Sequence, residues 1–440
     1  MSGSLALGVY GMLVLSVAAL ALRRPGAALI MASCMFALKQ WAQASGGVFA
    51  AHPSLTNWIA GAIVLAGVML HLARGQLSRL ACTRQFWLIL ALYLYSLVAI
   101  AWAPLIEISF HHWIEALPYI GTIVILAPLL VQSPTDLRFA CGGLLVVGTI
   151  LALLLLFTVP WDGRQVVLGH SGSESEGGNP LTVGQLGGTL LILGVLYRQA
   201  GMPLAITVLK WAAAFVGLAL VAKSASRGQL GAALIVAGAL WSVATPSKNA
   251  LKPVITMVVL AGLLALAIAA RDHFLGDERR FETAQMETDL AGRLSNANVV
   301  LTRWSQSPAS MIFGIGNSAS YDPRILGIYP HIVPVEILAE EGIVGFALFA
   351  AIVLATGTAA LREVRDSASD PARRNLFVCL LALWIYSLFL INKQGSLLLS
   401  QDFFLNSILL ASYRNLYSTR HSSAPAPNRM QGFRPENLLA

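Results

Sequence analysis

His331-Ile-Val-Pro-Val-Glu336-Ile-Leu-Ala-Glu340-Glu341-Gly-Ile-Val-Gly345 carries the chain out of a polar segment and into an apolar run that continues to about residue 360. A helix that crosses a bilayer needs about 20 mainly apolar residues, and the run 335–360 meets that length. The segment before it, residues 271–334, gathers arginines, carboxylates and a histidine, whereas elsewhere charges avoid the apolar runs and sit in short connections. This alternation predicts an all-α fold: a polytopic membrane helix bundle with one large, partly helical outer segment at 271–334.

Composition agrees. Hydrophobic residues make up 57% of the 440 residues and charged residues 11%, with a mean hydropathy of +0.71. A soluble domain carries about 25% charged residues, so a soluble globule is excluded. Spans are expected near 4–22, 26–44, 57–73, 86–103, 119–132, 139–160, 182–197, 204–222, 229–244, 254–270, 335–360, 376–392 and 403–418, about 12–13 in all. Residues 1–420 read as one bundle and 421–440 as a disordered tail. The run Leu5–Leu22 has its basic pair, Arg23-Arg24, after it rather than before it, and reads as a retained span rather than a signal peptide.

Orientation follows from Lys and Arg in the connections. Arg23/Arg24, Arg74/Arg79/Arg84, Arg198, Lys248/Lys252, Arg362/Arg365/Arg373/Arg374 and Arg414/Arg420 fall on one common face, assigned to the cytoplasm. The opposite face then holds 45–56, 104–118, 161–181, 223–228, 271–334 and 393–402. The C-terminus is cytoplasmic. The N-terminus is outside if there are thirteen spans, and inside if the first two runs are not two full spans. The net charge of +8 belongs to these flanking loops and lacks the aromatic interleaving of a nucleic-acid surface. Cys34, Cys141 and Cys379 lie in or beside apolar runs and Cys82 in a basic loop, with no disulfide framework or metal spacing. No cofactor is implied.

Two outer connections are informative. Residues 161–181, rich in Gly and Ser, cannot form a helix and suit a mobile or ligand-shaped loop. Ile106–Leu117 alternates apolar residues with Glu107, His111, His112 and Glu115, as a helix lying in the interface would.

Lys223 and Arg227 sit on the outer face against the positive-inside trend. They contact lipid headgroups or bind a phosphate, whose oxygens match the planar guanidinium fork. In the large segment, Gly292–Trp304 reads as a helix. Most of its neighbouring charges, Arg279 to Asp289, form a solvated face, but Arg293 opens an amphipathic stretch with no acid beside it, and Arg303 closes it. Gly314-Ile-Gly316 is a weak phosphate-loop signal on its own. His331 stands at the entrance to an apolar span, with His170 of the Gly/Ser loop as a rival. Glu336 and Glu340 share a helix face and either orient the imidazole or cap the helix dipole.

Together, His331-x-x-x-x-Glu-x-Leu-x-Glu-x-Gly-x-x-Gly345 resembles the signature of the O-antigen ligase and polymerase superfamily. Ser226-Arg227-Gly228, Gly178-Asn179-Pro180 and Arg293…Trp304…Pro308…Gly314-x-Gly316 resemble its other outer elements, in order and on one face. The likeness covers about residues 160–345. Ile332 stands where that family has Asn, so nothing rests here on a His-Asn pair.

The resemblance implies transfer of a glycan from undecaprenyl pyrophosphate to an acceptor hydroxyl on the periplasmic face of a Gram-negative inner membrane. It implies His331 as general base, Glu336 as its orienting carboxylate, and Arg227 and Arg293 as ligands of the donor pyrophosphate. Lys223, Arg303, Asn179 and His170 would assist binding. With no Asp-x-Asp pair and no nucleophile and carboxylate pair on the outer face, the expected reaction is metal-independent displacement with inversion. The closest reading is an O-antigen ligase acting on a lipid A–core hydroxyl. A polymerase and a protein O-oligosaccharyltransferase are the alternatives within the superfamily. A lipid-linked glycan transporter or flippase is the alternative of another class; it is disfavoured because transport sites carry ionisable residues at mid-membrane, and these spans are nearly free of charge at their centres.

Overall fold

The computed structural model describes residues 3–75, 81–168, 178–198, 201–244, 262 and 283–422. His170, most of the Gly/Ser loop, Lys248, Lys252, nearly all of the expected span 254–270, residues 271–282 and the tail from 423 lie outside the described residues.

Sixteen α-helices make up nearly all of the described chain: α1 Gly3–Arg23, α2 Ala28–Ala44, α3 Val48–Ala51, α4 Leu55–Ala73, α5 Arg84–Ala99, α6 Ile106–Tyr119, α7 Pro134–Phe157, α8 Pro180–Leu196, α9 Leu204–Lys223, α10 Arg227–Ala244, α11 Thr283–Trp304, α12 Pro308–Phe313, α13 Val333–Glu340, α14 Gly342–Asp366, α15 Pro371–Ile391 and α16 Gln401–Ser422. Among the described residues the one β element is a small hairpin, Trp161–Asp162 against Gln165–Val166. Among the described residues nine helices are long and apolar enough to cross a membrane. The protein is an all-α, multi-pass membrane helix bundle.

Close approach is bought with small residues in the middle of this bundle. α8 is apolar and buried along most of its length, and it lies against α9 and α10. A Cβ on Gly187 would fall 2.6 Å from the Gly217 carbonyl oxygen, and one on Gly217 would fall 2.5 Å from the Gly187 oxygen. With side chains absent at both positions, the α8 and α9 backbones touch, and dispersion replaces the hydrophobic drive that lipid cannot supply.

The two ends of the bundle are chemically distinct. At one end Arg24 lies over Phe139, Arg198 over Trp241 and Arg373 over Tyr417. Arg138 donates to the Tyr417 hydroxyl at 2.9 Å, and Arg373 forks onto Glu363 at 2.6 and 2.7 Å. These are the connections assigned to the cytoplasm from the sequence. The connections assigned to the opposite face meet one another at the other end: Gln40 bonds the Asn179 carbonyl at 3.0 Å, Gln229 bonds Gln394, and Glu336 bonds Leu397.

Two boundaries differ from the sequence reading. Ile106–Leu117 is not a separate interfacial helix. α6 continues through π-helical turns at Ile120–Leu126 and a 3-10 turn at Ala127–Leu130, giving one apolar stretch, Ile106–Leu130. Pro118 lacks the N–H that would bond the carbonyl four residues back, and the ladder changes register just after it. Its polar residues crowd the first half, which is why that half reads as amphipathic. The run 335–360 is likewise not one helix. α13 ends at Glu340 and α14 starts at Gly342, whose φ of +66° turns the chain.

Candidate functional site

The strap between α12 and α13 delivers His331. Gly314 and Gly316, with φ of +85° and +101°, let its backbone lie directly on the end of α13. Ile315 N donates to the Ala339 oxygen at 2.9 Å and Gly316 N to the Glu340 oxygen at 3.0 Å. A Cβ on Gly316 would sit 2.4 Å from the Ala103 Cα. The Gly-x-Gly is thus a packing turn that satisfies the last carbonyls of α13, and no phosphate role follows from it.

Two buried carboxylates, Glu340 and Glu341, then hold the strap, and a third, Glu336, holds a neighbouring turn. Glu340 accepts from Ser318 N at 2.6 Å and Ser320 N at 2.9 Å. Glu341 accepts from Asn317 Nδ2 at 2.9 Å. Glu336 accepts from Leu397 N at 2.9 Å, tying α13 to the α15–α16 connection. Burial pushes all three carboxyls above their ordinary range, and hydrogen bonds pull each part of the way back. Glu336 therefore bonds the 397 turn rather than the imidazole it was expected to orient.

The strap ends in a chain of aromatic rings. His331, itself in the left-handed region at φ +63°, meets Tyr329 edge-on with centroids 4.2 Å apart. Tyr329 lies 6.0 Å from Tyr321, and Tyr321 lies 4.1 Å from His112 of α6. A histidine held at positive φ is strained, a condition that clusters at functional positions. The His331 pKa is lowered from its ordinary value by burial and, second, by the Arg293 guanidinium. Arg293 comes from α11, which packs along α13. The arginine singled out from the sequence thus acts electrostatically on the histidine and favours the neutral imidazole.

Beside Tyr329 opens a cavity of about 300 Å³, whose wall includes Lys39, Gln40, Asn179, Gln185, Gln394 and Asp402. Asn179 caps α8, its side chain accepting from Leu181 N at 2.9 Å, and presents itself at the cavity edge. The turn carrying Arg227 is fastened to the same wall. Ser226 Oγ donates to the Pro180 oxygen at 3.2 Å, and Gln229 bonds Gln394 and accepts from Lys393 Nζ at 3.1 Å. A Cβ on Gly228 would fall 2.1 Å from Lys393 Nζ, so a side chain there would displace the lysine. The cavity wall thus runs from Gln394, bonded to the turn that starts at Arg227, to Tyr329, in contact with His331. Lys223 lies near the face of Trp161, Nζ 5.8 Å from the ring centre.

Arg303 is not part of this assembly. It donates to Gln306 at 2.7 Å and lines a separate hollow with Asp322 and Arg324, which are themselves paired at 2.6 Å. Sequence reasoning missed Lys39, Lys393, Gln394, Tyr329 and Asp402. Lys39 and Asp402 had a signal, as charges inside or at the edge of apolar runs. Tyr329 had none, because only the strap's path brings it between the cavity and His331.

No known protein family's sequence profile matches the chain, and no curated protein matches it.

Proposed function

We propose that this protein transfers a glycan from undecaprenyl pyrophosphate to an acceptor hydroxyl, at the end of the bundle that carries the strap, on the periplasmic side of a bacterial inner membrane. One observation carries this reading. A strained histidine, kept toward its neutral form by burial and by Arg293, stands through Tyr329 beside a cavity lined by Lys39 and by Gln394, which bonds Gln229 in the first turn of the helix that Arg227 opens.

The chemistry uses those parts directly. Neutral His331 takes the proton of the acceptor hydroxyl while its oxygen attacks the anomeric carbon. The glycosidic C–O bond breaks, and its electron pair leaves on undecaprenyl pyrophosphate. Arg227 and Arg293 hold that pyrophosphate, and their forks meet the charge that grows as the bond breaks. A single displacement inverts the anomeric centre. The acceptor favoured by the sequence is a lipid A–core hydroxyl, which makes the protein an O-antigen ligase. A growing lipid-linked glycan would make it a polymerase, and a protein Ser or Thr an O-oligosaccharyltransferase.

The test uses purified protein in nanodiscs with undecaprenyl-pyrophosphate-linked glycan and lipid A–core. Expected is a glycan-extended lipid A–core and free undecaprenyl pyrophosphate. In proteoliposomes, glycan that changes leaflet while still on its carrier, with no transfer under any acceptor, would replace this reading with a flippase.

A further inference from the structure

A second cavity, of about 550 Å³, opens beside the first and shares Lys39 and Leu399 with it. From the geometry we infer that this second cavity binds the sugar headgroup of a membrane-anchored glycolipid, the acceptor of the transfer. The inference rests on the proposed transfer for the word acceptor, and on the cavity itself for the ligand class.

Its walls suit a sugar. Tyr119, Tyr321 and Trp58 offer ring faces against which the C–H face of a pyranose packs, and Asn57, His112 and Glu115 offer polar atoms between the rings. Asn57 Nδ2 donates to the Tyr119 hydroxyl at 2.6 Å, while its buried Oδ1 has no hydrogen-bond partner. Such an atom costs free energy unless a ligand hydroxyl reaches it. The charges are mixed rather than cationic. Glu115 pairs with His111 at 3.3 Å and His112 at 3.7 Å and acts electrostatically on Lys39. The Glu115 carboxylate can accept hydrogen bonds from sugar hydroxyls.

Position identifies the ligand as lipid-borne. Trp58 is in the first turn of α4, a candidate span, and is 69% exposed; Ile114 beside it is 45% exposed. Both stand on the outside of the bundle, and an exposed tryptophan in the first turn of a span suits the membrane–water interface. A glycolipid whose chains lie in the bilayer can therefore place its headgroup here. From this cavity the Tyr321–Tyr329 pair leads to His331.

The experiment measures binding of lipid A–core to the full chain in nanodiscs, without donor, for wild type, Trp58→Ala, Trp58→Phe and Glu115→Gln. Unfolding midpoints are recorded in parallel. Loss of one stacked ring should weaken binding about tenfold, Trp58→Phe should restore most of it, and Glu115→Gln should weaken it. Binding of undecaprenyl pyrophosphate should be unchanged in all three. Wild-type affinity for lipid A–core in both Trp58→Ala and Glu115→Gln overturns the inference, as does an equal loss of undecaprenyl pyrophosphate binding. Trp58-dependent binding in a protein that transfers nothing would overturn the transfer reading and leave this one standing.

Discussion

Gly316→Ala should loosen the strap that delivers His331. Gly316 has φ of +101°, which an L-residue adopts at a cost of about 1–3 kcal/mol. The added Cβ would also lie 2.4 Å from the Ala103 Cα and 2.7 Å from its N. Those atoms are backbone just past the 3-10 turn Ile100–Trp102 that follows α5 and cannot rotate away, so overpacking adds about 1–3 kcal/mol. Together the penalty is about 2–6 kcal/mol, enough to separate the strap from α5 and to weaken the Gly316 N bond to the Glu340 oxygen. Gly231→Ala is the control. Gly231 lies within α10 with nothing within 4 Å of a Cβ, and Ala in a helix gains up to about 1 kcal/mol over Gly. Thermal unfolding of the purified protein in detergent reads both: a lower midpoint for Gly316→Ala and an equal or higher one for Gly231→Ala. In the transfer assay Gly316→Ala should also lose turnover. A Gly316→Ala protein that melts and works like wild type would refute the packing account of the Gly-x-Gly turn.

Other outcomes follow from the charges. Arg293 lowers the His331 pKa, so Arg293→Gln should raise it; because the base must be neutral, the acid limb of the rate profile, measured at saturating donor, should move to higher pH. An unmoved limb, or one displaced to lower pH, would separate the arginine from the histidine. Burial pushes Glu341 up to about 8. Its folded pKa then exceeds its unfolded value of about 4.3, so the stability it contributes is complete below that value and is lost as pH rises toward 8. Glu341→Gln should flatten the fall in unfolding midpoint across that window, and an unchanged pH dependence would contradict this.

Much of the architecture was legible because lipid imposes simple rules. Apolar runs of spanning length located most helices, and the distribution of Lys and Arg sorted their ends into the two groups that the contacts join. What escaped was local. Pro118 does not stop a helix that can widen into π turns, so α6 ran on where polarity suggested a break. Gly342 and the glutamates beside it ended α13 inside a run that read as continuous. In the site, Arg293 and His331 were singled out by residue type and position, and the guanidinium acts on the imidazole. Glu336 was placed on the wrong partner, because spacing along a helix says which face a carboxylate occupies but not that Leu397 N approaches it from 61 residues away. Lys39, one charge in an apolar run, was passed over; only the fold puts it where two cavities meet.

The central claim is that His331 is the base, and transfer by folded His331→Ala protein tests it most directly. Purified wild type and variant are compared in nanodiscs at saturating donor and acceptor, with donor binding measured separately. Removing a positioned base lowers rate by about 10²–10⁴-fold. The expected result is a loss of that size with donor binding and unfolding midpoint retained. Turnover at the wild-type rate would contradict the account and move the search for the base to His170 or to the substrate itself.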